Sequence, residues 1–427
     1  MRRIIALCLG VSTLAWTATA TAGEHAAGAR KAAADVVEDY EWFHAHPELS
    51  EKEAETAKHL AGDLRAIGLE EHEGIGGHGI VGILKNGSGP VVLYRADMDA
   101  LPVAEKTGVK YASKNAGVMH ACGHDVHMAT AIGALKMLAS MRDRWKGTVV
   151  FVGQPAEEVG RGARAILKDP EFKKLLGKHG KPKLALALHD AADLPAGKIS
   201  LIPGFHHANV DSVDVVVHGK GGHGARPHET IDPVVMGAEI VMSLQTIVSR
   251  RLPPGEKAVV TVGKFAAGTK HNIVPPSATL LLTVRSYGAE TRQMLIDEIE
   301  RIVVQIAKAH RAPRAPDIKF AEGTPAAFND VEWTKKLRAH FSSTLGKEAV
   351  VEHQPTTGGE DFGLYGTELG IPAIMWKLGA VDPKRWRASK GKGLPGLHSD
   401  LWAPAVEPTL AMGIESAVEA VLFGLQK

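Results

Sequence analysis

The sequence predicts an α/β fold with a mixed, mainly parallel sheet, interrupted by an inserted α+β sandwich. Three observations support this fold class. Short buried strands alternate with helices up to about residue 207, as in proteins with parallel sheets. Residues 208–324 instead combine alternating β-branched strands with two long helices, and the α/β texture returns in residues 325–427. With 427 residues, the chain is long enough for two domains.

The N-terminus has the pattern of an export signal. Arg2 and Arg3 precede a mostly apolar run over residues 4–16, and small-residue cleavage patterns end at Ala20 and Ala22. A membrane anchor is the alternative, but this run is too short to span a bilayer comfortably. We therefore predict a signal peptide over residues 1–22, export to the periplasm or medium, and no membrane association after cleavage.

Composition narrows the function classes. The net charge is +2 with no long block of like charge, which argues against nucleic acid as a partner. Cys8 and Cys122 are the two cysteines, and Cys8 would leave with the signal peptide. The mature protein would then carry a single thiol and no internal disulfide. A lone thiol in an oxidising compartment is expected to be buried or bound.

In the first segment, residues 23–207, the pattern predicts helices and buried strands. Residues 32–69 have helical spacing that is interrupted at His46-Pro47, and residues 126–141 form a strong helix. Residues 79–85 and 91–95 are predicted strands on either side of a turn at 86–89. Residues 148–152 and 184–188 are predicted short buried strands.

The inserted segment, residues 208–324, has a different order of elements. Predicted strands cover residues 210–218, 258–264 and 279–286, and predicted helices cover residues 231–250 and 291–310. The order strand, helix, strand, strand, helix, strand fits a compact α+β sandwich. We therefore predict one domain in two segments, 23–207 and 325–427, with a smaller domain between them.

Two motifs bring together residues that suit metal chemistry. In HACGHDVH, Cys122 and His124 lie just before a helix, whose N-terminus stabilises the thiolate that binds metal. In GQPAEE, Glu157 and Glu158 follow a buried strand, where two adjacent carboxylates favour nearby cations. One could bind metal while the other accepts a proton from water. A buried thiol beside helix-capping histidines, and an exposed acidic loop, are the structural alternatives.

Three further polar positions fit the same picture. His189 ends an apolar strand, His398 lies in a Gly-rich loop, and Asp99 follows a strand in RADMDALP. Each also has a purely structural interpretation, such as a salt-bridged turn for Asp99. If these strand ends meet at one sheet edge, the Cys, His and Glu donors suit Zn, Mn, Ni or Co better than Mg or Ca.

The ordered motifs HAHPELS, RADMDALP, HACGHD, QPAEE, GGHGARPH, GTKHNIVP and GGEDFG resemble the aminoacylase/carboxypeptidase family of two-metal hydrolases. The similarity is to the amidohydrolase branch, which contains hippurate hydrolases, N-acyl-amino-acid deacylases and indole-acetyl-amino-acid hydrolases. It covers essentially the whole mature chain. The resemblance implies two divalent ions per subunit, with a ligand set of Cys122, His124, Glu158, His189 and His398.

The resemblance also implies other roles. Glu157 would be the general base and Cys122 the bridging ligand. Asp99 would be a carboxylate that contacts the metal ligands rather than the metal. The sequence departs from the branch at two points: Asp190 follows His189, and Ser399 follows His398 where the branch often has Asn. These departures put the surroundings of both histidines in question.

For the inserted domain, the resemblance implies a lid and dimerisation surface. His223 would stabilise the developing oxyanion, reaching the active site of the partner subunit in a homodimer. Asn272 and Arg285 would bind the substrate carboxylate. Each has a structural alternative: a capped Gly-rich turn for His223, a turn before Pro275 for Asn272, and a sheet-edge charge for Arg285.

The implied activity is hydrolysis of the amide bond in a small N-acyl amino acid, through metal-bound water and Glu157. A carboxypeptidase or dipeptidase with the same site is the close alternative, because the two differ only in the group on the acyl side. A non-catalytic metal- or peptide-binding protein is the alternative from another class. Loss of the base or of several ligands would indicate it, and the sequence shows neither loss.

Overall fold

The computed structural model describes residues 23–426, with Glu322 described by its backbone alone. The predicted signal peptide therefore lies outside the described residues. The α-helices are α1 (Ala26–Asp35), α2 (Val37–Ala45), α3 (Ala54–Ile67), α4 (His124–Ser140), α5 (Gly162–Lys168), α6 (Pro170–His179), α7 (Pro233–Thr246), α8 (Ala289–Ala309), α9 (Val331–Thr344), α10 (Gly363–Leu369), α11 (Pro383–Ser389) and α12 (Val406–Leu425). The strands are β1 (Glu70–Ile75), β2 (Gly79–Asn86), β3 (Val91–Asp97), β4 (Gly147–Gln154), β5 (Leu184–Pro195), β6 (Ile199–Leu201), β7 (Gly204–His207), β8 (Asn209–His218), β9 (Gly222–His223), β10 (Val259–Ala267), β11 (Ile273–Val274), β12 (Ser277–Ser286), β13 (Asp317–Glu322), β14 (Ala327–Asn329) and β15 (Ala373–Val381).

The large sheet has seven strands in the order β1-β2-β4-β3-β5-β15-β6. Its central pairs, β4 with β3, β3 with β5 and β5 with β15, are parallel, and the outer pairs are antiparallel. Every residue of β3 and β4 is buried. One hydrophobic cluster, with side chains from α1, α4 and α12, covers one face, and another from α5, α6 and α10 covers the other. The predicted mixed, mainly parallel sheet is confirmed.

The turn at 86–89 does not join two paired strands. β4 lies between β2 and β3, antiparallel to the first and parallel to the second. Beside the turn, the amide of Thr148 on β4 donates a hydrogen bond to the carbonyl of Pro90 at 2.9 Å. The strands were predicted correctly, but their neighbour comes from a segment more than 50 residues further along the chain.

A second sheet is formed within the predicted insert. Its four antiparallel strands have the order β10-β12-β8-β13, and α7 and α8 pack against it around a separate hydrophobic cluster. The observed order of elements is the predicted strand, helix, strand, strand, helix, strand. Helix α7 begins after Asp232, whose carboxylate accepts a hydrogen bond from the amide of Val234, and continues into a five-residue π-helical turn. The domain boundaries at 207/208 and 324/325 stay a prediction.

Two helical regions add detail to the sequence expectations. Residues 32–69 divide into the end of α1, α2 and α3, and the chain leaves the helix at His46-Pro47 as predicted. Helix α12 is the one described helix long and apolar enough to cross a membrane, by length and composition only. It is mostly buried and packs on α1 and α4, as a core helix does.

Candidate active site

Cys122 lies at the centre of a cluster of metal-binding side chains. Its Sγ is 3.7 Å from Nε2 of His189 and 3.3 Å from Nε2 of His398. Two groups of three donors share this sulfur: one adds His124 and His189, and the other adds Glu158 and His398. The five predicted ligands therefore converge, and Cys122 would contribute its sulfur to both groups of donors.

The turn before α4 places Cys122 and His124 on the same side of the site. Gly123 has φ +80°, a left-handed conformation that favours glycine. A Cβ at this position would also lie 2.5 Å from the carboxyl group of Asp190. Gly123 is therefore required twice, by the backbone conformation and by the close approach of β5.

The histidines are oriented by backbone carbonyl groups. Nδ1 of His124 is 2.8 Å from the carbonyl oxygen of Asp99, and Nδ1 of His189 is 2.8 Å from that of Asp190. In both rings this arrangement leaves Nε2 facing the cluster. A ligating histidine in proteins is typically held through its other nitrogen in this way.

His398 reaches the site from the loop after α11. Its backbone has φ +68°, and its amide donates a hydrogen bond to the carbonyl of Ala121 at 2.7 Å. Nε2 is 3.6 Å from Oε1 of Glu158. A non-glycine residue in this conformation stores strain, which is common where a side chain must point into a functional site.

Asp99 organises the two glutamates. Its carboxylate accepts hydrogen bonds from the backbone amides of Glu157 and Glu158, at 3.1 and 3.0 Å, and from the hydroxyl of Ser50 at 2.6 Å. It therefore fixes the turn that carries both acidic side chains. This is the supporting position that the resemblance implies.

The electrostatics of the cluster favour bound cations. Burial raises the pKa of the Cys122 thiol well above its usual range, and Glu158 adds to the effect. Burial also raises the pKa of Glu157 well above its usual range, together with the neighbouring carboxylates of Glu360 and Glu158. Nε2 of His124 and Oε1 of Glu158 are buried without a hydrogen-bond partner in the structure. Two bound divalent ions would give these unpaired nitrogen and oxygen atoms a partner. Their positive charge would also favour the ionised forms of the thiol and the carboxyl groups.

A buried cation behind the site was missed from the sequence. Arg95 is buried, and its guanidinium contacts Asp97, Glu360 and Asp361 at 2.6, 2.8 and 3.2 Å. Glu360 and Asp361 belong to the motif GGEDFG, whose sequence alone indicated no role for them. The arginine and two aspartates of RADMD and the acidic pair in GGEDFG were the available signal, but nothing in the sequence indicated that the two segments are in contact.

His127 is a second residue that sequence reasoning left without a role. The amide of Asp190 donates a hydrogen bond to its Nε2 at 2.9 Å, so its Nδ1–H donates to the carboxylate of Asp97. His127 therefore connects the end of β3, which precedes Asp99, with β5, which carries His189.

A cavity of about 740 Å³ opens beside the donor cluster. Arg285, on β12 of the second sheet, lines it together with Cys122, Glu157 and Glu158. Burial lowers the pKa of Arg285, and its Nε donates a hydrogen bond to the hydroxyl of Thr283 at 3.0 Å. The structure thus brings Arg285 to the predicted ligands.

His223 and Asn272 lie elsewhere. Neither lines the cavity, and both are exposed. They are neighbours on a two-stranded ribbon in which β9 pairs with β11. The amide of Gly224 donates to the carbonyl of Asn272 at 2.9 Å, and Nδ1 of His223 accepts from the amide of Ala225 at 3.1 Å. Within one chain, the ribbon is separate from the active-site cavity.

Comparison with known proteins places this geometry in a family. The family model described as Peptidase family M20/M25/M40 matches residues 93–389, more than half of the chain. The chain belongs to this family. It is 35% identical over 324 residues to the N-acetyl-L-cysteine deacetylase of Bacillus subtilis, covering 76% of this chain and 75% of the relative. It is 35% identical over 363 residues to thermostable carboxypeptidase 2 of Saccharolobus solfataricus, covering 82% and 89%.

The chain is also similar to a solved structure of a metal binding peptidase. A dinuclear metal binding peptidase of the M20 family from Bacillus subtilis has a TM-score of 0.74 and 29% identity, covering 93% of this chain and 100% of that one. The M20 chain described here is thus a metal-dependent hydrolase of amide bonds that uses two divalent ions. The fold class and the family resemblance inferred from the sequence are both confirmed.

Proposed function

We propose that this M20 hydrolase cleaves the amide bond of N-acyl amino acids, with Glu157 as general base. The observation that carries the proposal is the convergence of Cys122, His124, Glu158, His189 and His398 beside Glu157 and a cavity that also holds Arg285. Glu157 would take a proton from the attacking water and return it to the leaving amine. The products would be a carboxylic acid and an amino acid.

The five donors would hold two ions, which we propose to be Zn, Mn, Ni or Co because sulfur and nitrogen donors suit these metals. When bound, the ions would lower the pKa of water and polarise the amide carbonyl. Their positive charge would also favour the ionised forms of the Cys122 thiol and the Glu157 carboxyl, which burial disfavours. The chain's own task is to orient these side chains through Asp99 and the carbonyl groups behind the histidines.

Arg285 would bind the α-carboxylate of the substrate, since its guanidinium has no carboxylate partner among the side chains that the structure describes. We further propose that His223 and Asn272 complete the site of a partner subunit in a homodimer. Exposed apolar side chains accompany the ribbon on the same inserted segment: Met242, Val235, Ile273 and Phe265 are 70, 55, 52 and 41% exposed. A surface of this kind suits burial in an interface.

Carboxypeptidase or dipeptidase activity is the second candidate. The similarity to a thermostable carboxypeptidase, at the same 35% identity as to the deacetylase, is the observation that keeps it open. Both activities use the same base and the same donors. They differ in whether the acyl side carries a free amine.

A substrate panel on the metal-reconstituted protein tests the proposal. N-acetyl and N-benzoyl amino acids should be hydrolysed with kcat/KM at least about tenfold above the matching dipeptides, and chelated protein should lose this activity. Higher kcat/KM on the dipeptides would favour the peptidase. Full activity in demonstrably metal-free protein would contradict the mechanism.

Export stays a proposal that rests on Arg2, Arg3 and the apolar run that follows them. Mass spectrometry of the protein from its native source should give a mature N-terminus near Gly23. An N-terminus at Met1 in the purified active enzyme would contradict it.

A further inference from the structure

Lys377 is a cation on the catalytic sheet that the mechanism does not use. It lies on β15, where the other residues are apolar, and it is half-buried. In the parallel pairing of β15 with β5, Lys377 is the register partner of the proposed ligand His189. It also lines the same cavity as Cys122 and Glu158. An ammonium group is thus placed one strand away from the donor cluster.

The neighbours of Lys377 leave its charge largely unbalanced. Among the side chains that the structure describes, none forms a carboxylate ion pair with its Nζ. Its Nζ is 3.3 Å from Nδ1 of His353, and Nε2 of His353 is 3.0 Å from the carboxylate of Asp193. The side chain of Asp193 is 61% exposed, so solvent weakens its effect. Burial lowers the pKa of Lys377, while Asp193 raises it.

Two buried histidines near Lys377 add no negative charge. His206 and His207 are buried, and their Nδ1 atoms are 2.7 Å apart. Burial lowers the pKa of both rings, to about 3 for His206, and the charge of Lys377 adds to this lowering. Both rings are therefore neutral near pH 7. A half-buried ammonium group beside neutral rings costs free energy unless an anion binds there.

Two cations reach the cavity from different sheets. Arg285 comes from β12 of the four-stranded sheet and Lys377 from β15 of the seven-stranded sheet. If Arg285 binds the α-carboxylate, Lys377 is available to bind an anion on the acyl side of the amide. The volume of about 740 Å³ is within the range of small-molecule sites.

We propose that Lys377 determines specificity for a second anionic group, so that the preferred substrate is an N-acyl amino acid whose acyl chain ends in a carboxylate. This inference rests on the proposed function and deepens it. The ammonium group of Lys377 donates hydrogen bonds to the distal carboxylate, and His353 holds the lysine side chain in place. The amide hydrolysed and the role of Glu157 are unchanged.

Matched substrates test the proposal on the metal-loaded holoenzyme. N-succinylglycine carries the distal carboxylate, and N-succinamoylglycine replaces it with a neutral amide of nearly the same shape. The wild-type protein should prefer the acid by about ten- to a hundredfold in kcat/KM, the range of a charge-assisted hydrogen bond. The Lys377→Met variant should lose this preference while its kcat/KM on the neutral substrate stays within about threefold. Lys377→Arg should restore part of the preference, and Lys384→Met, at an exposed position, should change nothing.

A second readout does not depend on turnover. In the metal-loaded Glu157→Gln background, calorimetric titration with N-succinylglycine should give a Kd about ten- to a hundredfold tighter than the same titration of Glu157→Gln/Lys377→Met. Equal Kd values, with unchanged metal content and melting temperature, would overturn the proposal. These controls matter because Lys377 lies beside His189.

Two further substrates locate the anion. If the second acid belonged to the amino-acid side chain, N-acetylglutamate would be preferred over N-acetylglutamine in a Lys377-dependent manner, and the assignment to the acyl side would be overturned. Hydrolysis of the neutral substrates without any preference for the acids would overturn this inference alone. No hydrolysis of any N-acyl amino acid would instead overturn the proposed function.

Discussion

The donor cluster and the ribbon differ in how completely one chain builds them. In the cluster around Cys122, Cys122 and His124 are buried, Glu158 and His189 are half-buried and His398 is exposed, and all five donors come from a single chain. The ribbon with His223 and Asn272 is exposed and contributes nothing to the cavity of its own chain. The difference indicates that metal binding is a property of the subunit, whereas we propose that oxyanion stabilisation is a property of the dimer.

Replacing Cys122 should affect metal content and turnover together, because both groups of donors share its sulfur. We expect Cys122→Ser to lose metal and to lower turnover by at least about a hundredfold. Metal analysis and turnover on one preparation measure both effects. In the unchanged protein, Cys122 is the one thiol among residues 23–426, so labelling should be slow with metal and fast after chelation. Equal labelling rates would favour a merely buried thiol.

His223→Ala tests the ribbon directly. Loss of an oxyanion donor should lower kcat by about a hundred- to a thousandfold with unchanged metal content. Mixing this variant with inactive Glu157→Gln subunits should regain about a quarter of wild-type turnover if subunits exchange randomly, because one of the two sites in each hybrid is then intact. If the hybrids stay inactive, or if a fully active monomer is found by light scattering, His223 is not supplied by a partner.

Replacing Arg285, which the second sheet brings to the cavity of the same chain, should have a smaller effect than replacing Cys122 or His223. Arg285→Met should raise KM by about ten- to a hundredfold and leave kcat nearly unchanged, because the carboxylate contact is present in the substrate and the transition state alike. Arg314→Met, an exposed arginine of the same inserted segment, is the matched control. A fall in kcat without a change in KM would contradict a binding role.

A buried ion pair far from both regions should change stability and leave catalysis intact. Glu419 lies 2.6 Å from Nδ1 of His25 and 2.8 Å from Nε2 of His340. The hydrogen bond to Glu419 raises the pKa of His25 above 6.5. Burial alone would raise the pKa of Glu419, but the hydrogen bonds from both histidines lower it to about 2.

The sign of the pH dependence follows from these two shifts. The stabilisation due to Glu419 is present at pH values above its ordinary pKa of 4.5 and is lost as the pH falls towards 2. The stabilisation due to His25 is present below pH 6.5 and is lost as the pH rises through the raised pKa of His25. Glu419→Gln should therefore lower the free energy of unfolding by about 1–3 kcal/mol near pH 5–6, and by less at pH 9, in denaturant titrations. A loss that is equal at both pH values would contradict the ion pair.

The same contrast explains what the sequence could predict. Cys122, His124, Glu157 and Glu158 stand in compact motifs next to strand ends, so their convergence follows from local pattern and sheet topology. The contacts of Arg95 with Glu360 and Asp361 join residues about 265 positions apart, and no local pattern encodes them.

The role of Lys377 and the position of β4 could not be predicted because both depend on which strands pair. In the sequence, Lys377 is a single charge in an otherwise apolar strand. Its position next to His189 follows only from the pairing of β15 with β5. The pairing of β4 between β2 and β3 was likewise hidden, because the short turn at 86–89 suggested direct neighbours. Sequence period shows which face of a strand is buried, but it does not name the strand's partner.

The most direct test of the account compares Glu157→Gln with Glu158→Gln, measuring metal stoichiometry and turnover on the same preparations. Glutamine keeps the size of the side chain but accepts no proton from water at neutral pH. Glu157→Gln should keep its metal and lose about two to four orders of magnitude in turnover, whereas Glu158→Gln should lose metal and activity together. Loss of metal from Glu157→Gln with retention in Glu158→Gln would reverse the two roles. Turnover near the wild-type level in Glu157→Gln would contradict the general-base mechanism.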